Sequence, residues 1–132
     1  MRRLTDETVL AVGRLTLAAT ELEYLLADIG AGQVDGGLAA IFTASGEPLR
    51  AARHVAQRVS ADRRDEFVGL VEAAATYLVQ SRTAVCAMWF ESGSVDAATF
   101  DEIANLILRC RGRLQALLDE LESTPPALPR HR

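Results

Sequence analysis

Arg82, Cys86 and Trp89 stand at i, i+4 and i+7, a spacing that sets them along one stripe of a helix. Ser81 and Thr83 flank the arginine. A guanidinium offers a rigid fork for phosphate or carboxylate. Hydroxyls and a thiol offer nucleophiles when a base activates them. Such a polar stripe inside an otherwise apolar helix makes Ser81, Arg82, Thr83, Cys86 and Trp89 candidate binding residues. A second group, Arg50, Arg53 and His54, lies within five residues of chain and joins them. An arginine head close to a packing face needs a partner. Glu21, Glu23, Glu72 or a group across a dimer interface are the acids or positions open to Arg82.

Metal and cofactor chemistry finds no ligand set. The chain has two histidines, His54 and His131, and no Cys-x-x-Cys, His-Glu-x-x-His or paired Glu-x-x-His spacing. Four glycines cluster between Gly30 and Gly37. A Walker loop ends in Gly-Lys-Ser/Thr, however, and all 14 basic residues are arginine. A dinucleotide fingerprint follows a strand, and here a helix precedes the glycines. No Gly-x-Ser-x-Gly elbow occurs. No catalytic residue, metal or cofactor is therefore assigned.

The arginines cluster at Arg50, Arg53 and Arg58, at Arg63 and Arg64, and at Arg109, Arg111 and Arg113. Two readings compete. The clusters form a local basic surface for RNA or a nucleotide, or they are solvated faces that pair with Asp62, Asp65, Glu66, Glu102 and Glu120. Eighteen acids and a net charge of −4 favour pairing. Aromatics make up 5% of the chain, so base-stacking surfaces are scarce.

The elements that carry these residues are helices. Ala and Leu supply 40 of 132 residues, which suits helical packing and lacks the β-branched and aromatic excess of sheets. Apolar spacing of 3 and 4 predicts a first helix over 6–29, capped by Thr5 or Asp6 and stopped by Gly30. One short apolar turn follows at 38–42. Ser45-Gly46-Glu47-Pro48 reads as the cap and first turn of a second helix reaching residue 59. A long third helix over 61–91 carries the seam Phe67, Val71, Ala74, Leu78, Ser81, Val85 and Met88, with Ser60 as N-cap. A fourth helix over 97–121 follows, with Ser94 or Asp96 as cap. The expected fold is an all-α, antiparallel four-helix bundle with one short extra helical turn after the first helix. It forms a single domain over 1–123, with a Pro-rich flexible tail over 124–132. Across the turn between the third and fourth helices, Cys86 and Cys110 lie roughly 13 Å apart along the axis. A disulfide needs Cα atoms within about 7 Å, so both thiols stay free. No signal-like or membrane-spanning apolar run is present, so the cytoplasm is the expected compartment.

With these elements in place, the chain resembles the HEPN superfamily. The likeness covers residues 6–122: an apolar first helix, a glycine-containing gap, an arginine-bearing second helix and a long third helix. Many bacterial members carry Arg-Asn-x-x-x-His-Ala/Ser-x-Trp on that third helix. Val85-Cys86-Ala87-Met88-Trp89 is similar to its end, with Cys86 in the histidine's place. Either Ser81 or Arg82 stands for the family arginine, depending on a one-residue shift. The resemblance implies a homodimer whose motifs meet across a cleft. In active members that cleft is a metal-independent ribonuclease. Without the histidine, it implies a non-catalytic module binding a protein partner, RNA or a nucleotide. The competing expectation is a ribonuclease with a modified motif around Ser81–Cys86. Met88, Trp89 and Phe90 would form a partner patch if exposed, or core if not.

Overall fold

The computed structural model describes residues 4–31, 47–88 and 96–123. Among the described residues the chain is all-α, a bundle of four helices. Helix α1 spans Asp6–Gly30, α2 Glu47–Val55, α3 Ala61–Ala87 and α4 Ala97–Ser123. The turn expected at 38–42, the last residues of the expected third helix, Trp89, Phe90 and the Pro-rich tail lie outside the described residues.

Local chemistry accounts for the ends. Of the two candidate caps of α1, Thr5 does the work: its Oγ1 accepts from the Thr8 amide at 3.1 Å, and Asp6 and Glu7 add negative charge to the first turn. Asp96 caps α4 in the same way, accepting from the Thr99 amide at 3.0 Å. Ser60 occupies the N-cap of α3, yet its side chain makes no capping hydrogen bond.

The second helix departs from expectation. It ends at Val55 and tightens into a 3₁₀ turn, Ala56–Arg58, before Val59 becomes extended. The guanidinium of Arg64 closes this end from α3. It donates to the carbonyls of Ala56 at 3.1 Å, Gln57 at 3.4 Å and Val59 at 2.9 Å. The Ala56 carbonyl also accepts from the Val59 amide at 3.2 Å within the 3₁₀ turn, and one planar fork serves all three carbonyls at this helix end.

Gly30 is the last residue of α1 and not a residue beyond its end; Ala31 is the C-cap, in right-handed conformation. Its missing side chain matters for packing. A Cβ there would meet Ala51 of α2, at 2.7 Å from the carbonyl carbon. The two helices cross at backbone contact distance because both positions are small.

One core joins all four helices. Leu15, Leu22 and Leu26 of α1, Phe67 and Val71 of α3, and Phe100, Ile107, Leu114 and Leu117 of α4 are its fully buried large side chains. Each contributes roughly 1.5–3 kcal/mol of apolar transfer. Direction follows from contacts between remote residues. Arg63 meets Glu120, and the Cys110 thiol donates to the Leu70 carbonyl, so α3 and α4 run antiparallel. Arg14 meets Asp101 and Glu21 faces Arg111, so α1 and α4 run in the same direction.

Candidate functional site: the outer face of helices α2 and α3

The sequence stripe on α3 splits in space. Ser81 is buried in the core, as the one polar member of the seam. Arg82, Thr83 and Cys86 are exposed. Consecutive helical residues are turned by about 100°, so one residue of register separates core from solvent. Arg82 is thus not a buried head in need of an acid, and it makes no hydrogen bond or ion pair with another described residue. Cys86 is also not the thiol of a buried face. That description belongs to Cys110, whose thiol burial pushes up, with Arg113 partly offsetting the effect. Both cysteines are free.

Glu72, one of the acids considered for Arg82, belongs to Arg53. The Arg53 Nε and Nη2 each donate at 2.7 Å to a different carboxylate oxygen, tying α2 to α3. That pair of hydrogen bonds holds the Glu72 carboxyl below the usual carboxylate range and raises the Arg53 guanidinium. Glu72 lies ten residues before Arg82, roughly 15 Å along the helix. Arg53 and His54 in the last turn of α2 therefore stand at one end of this face, and Arg82, Thr83 and Cys86 at the other. Arg50 is exposed on α2 between them. The candidate residues share a face of the bundle without converging on one point.

Near Arg82 a pocket of about 130 Å³ opens between α1, α2 and α3. Leu26, Leu49, Ala75 and Leu78 line it, and Glu23 and Arg82 are the charged side chains on its wall. Apolar walls with one acid and one base suit a side chain of a protein partner more than a polyanion.

Several of the other arginines are engaged within the molecule, whereas Arg58, Arg109 and Arg113 make no hydrogen bond or ion pair with another described residue. Besides Arg53 and Arg64, Arg63 donates to Glu66 at 3.0 Å and to Glu120 at 3.3 Å, and both bonds raise its pKa. Arg14 grips Asp101 through two bonds of 3.0 and 3.1 Å. The Arg111 Nε is buried without a hydrogen-bond partner, with the Glu21 carboxylate 3.9 Å away. The pairing reading of the arginine clusters thus holds for Arg53 and Arg63, with partners only partly those anticipated.

A second surface escaped the sequence reading. Leu10, Leu17 and Tyr24 are 62%, 67% and 54% exposed on α1, and Leu108 of α4 is 46% exposed. Leu17, Ala18, Ala104 and Leu108 line an open groove of about 410 Å³ between the two helices. The available signal was the seven-residue spacing of Leu10, Leu17 and Tyr24, which runs off the core stripe.

Among the described residues, no group of three or more His, Cys, Asp or Glu is placed to hold a metal ion. None of the described helices is long and apolar enough to cross a membrane. Compared with known proteins, the chain matches no protein-family model, no curated protein and no solved structure.

Proposed function

We propose that this chain is a non-catalytic, HEPN-like interaction module that works as a homodimer in the cytoplasm and binds a protein partner through the α2–α3 face. The observation that carries this reading is the engagement of the arginines. Arg14, Arg53, Arg63 and Arg64 all donate to acceptors of their own chain. A phosphate backbone would have to displace those acceptors one by one. The exposed Val79 of α3 and the Glu23–Arg82 pocket that it lines, in contrast, are open to a protein surface.

The test is a titration of the purified chain with single-stranded and structured RNA between ~50 and ~200 mM salt, beside light scattering on the same sample. The expected result is a dimer with weak, shallowly salt-dependent RNA binding. Tight binding that falls steeply with salt would replace this reading with the RNA one. A ribonuclease reading draws on one observation: Arg82 is exposed and unpaired among the described residues. RNA cleavage abolished by Arg82→Ala would establish it.

A further inference from the structure

The exposed face of α1 is self-complementary under a two-fold rotation. Leu10, Arg14, Leu17, Glu21 and Tyr24 follow one another along it as apolar, cation, apolar, anion, apolar. We propose that a second copy of this chain docks antiparallel on this face, with the two-fold axis at Leu17. The proposal rests on the homodimer part of the function above, and it puts the interface on α1 in place of the motif-lined cleft that the resemblance implies.

Geometry selects the arrangement. Rotation about Leu17 brings Leu10 of one copy onto Tyr24 of the other. Arg14 lies three residues before the axis and Glu21 four after it, so Arg14 and the Glu21 of a second copy fall within ~1.5 Å of the same level. A parallel docking would instead set Arg14 on Arg14 and Glu21 on Glu21, and like charges repel. Both charged groups have capacity left. The Arg14 fork is 53% exposed while bound to Asp101, and the Glu21 carboxylate sits 3.9 Å from Arg111, outside hydrogen-bond range. Leu108 of the neighbouring α4 extends the apolar area beside Leu17. Together these side chains set exposed apolar groups of both helices beside the alternating charges of α1. A closed isologous dimer needs just such a surface, in which residue i meets j and j meets i.

This arrangement leaves Arg82 and Cys86 facing outward on both copies, whereas a dimer joined through the α3 motif would bring the two Cys86 thiols together. Three measurements separate the cases. Light scattering of wild type and Leu17→Asp reads the dimer, with circular dichroism to confirm that this exposed position leaves the fold intact. Mild oxidation of Leu17→Cys in a Cys86→Ser background reads proximity at the axis. Arg14→Glu, alone and with Glu21→Arg, reads the charge pairing. Expected are a wild-type dimer, a folded Leu17→Asp monomer, a rapid crosslink through Leu17→Cys, and dimer affinity weakened about tenfold by Arg14→Glu and recovered in the double variant. A dimer untouched by Leu17→Asp, or crosslinked through wild-type Cys86, overturns this interface and leaves the homodimer reading standing. A wild-type monomer at micromolar concentration overturns both.

Discussion

Arg53 and Glu72 meet in a two-bond fork, both contacts 2.7 Å, across nineteen residues of chain. The pair holds the nine-residue helix α2 against α3 at a point where no fully buried large side chain of α2 does so. Both side chains remain about half exposed, so the surrounding water screens the attraction.

The pair makes stability depend on acid. The Glu72 carboxyl lies lower in the folded chain than its ordinary value near 4.5. The unfolded state therefore binds a proton first as pH falls. The stabilisation is complete above the ordinary carboxylate range and is lost as pH falls through the lower, folded value. Urea unfolding of wild type and Glu72→Gln, from neutral pH to pH ~3, should show curves separated by about 0.2–1 kcal/mol at neutral pH that converge in acid. Equal separation at every pH would rule out this role.

Arg64 should contribute more than Arg53, because its acceptors are backbone carbonyls in a partly buried end of the 3₁₀ turn. Arg64→Ala is expected to cost about 1–3 kcal/mol in chemical denaturation, since carbonyls lose a charged donor. Arg64→Lys should recover less than half, as one ammonium cannot span the three carbonyls.

Gly30→Ala separates helix propensity from packing. Alanine is favoured by about 1 kcal/mol in a helix interior and by less at Gly30, the last residue of α1. The added Cβ, however, would overlap Ala51, including its backbone, which is not free to swing away. We expect a net loss of roughly 1–3 kcal/mol in thermal unfolding. Part of it should return in Gly30→Ala combined with Ala51→Gly, which removes the Cβ half of the overlap.

The two thiols should differ sharply toward an aromatic disulfide reagent at neutral pH. Cys86 is exposed and should react at once. Cys110 is 4% exposed, its thiol raised by burial and hydrogen-bonded to Leu70, and should react only as the chain unfolds. Two equally fast thiols in the native protein would contradict the packing of α3 on α4.

Sequence alone determined where the helices lie, because period and capping are local, but not the early end of α2 at Val55. The 3,4 spacing of Leu15, Leu22, Phe67, Val71, Ile107 and Leu114 marks the faces that the core buries. Thr5 or Asp6 and Ser94 or Asp96 mark two of the starts, and Thr5 and Asp96 are seen to reach amides three residues on. The free state of Cys86 and Cys110 followed from helix rise and one short connection. Tertiary structure decided what periodicity leaves ambiguous by one residue or more. It turned Ser81 inward and Arg82 and Cys86 outward, and it gave Glu72 to Arg53. It placed Gly30 against Ala51 and laid α1 beside α4 in the same direction, so that Leu17 and Leu108 share a groove. None of these can be read along the chain, because each depends on which residue of a remote helix arrives opposite. That is fixed only when the whole core packs at once.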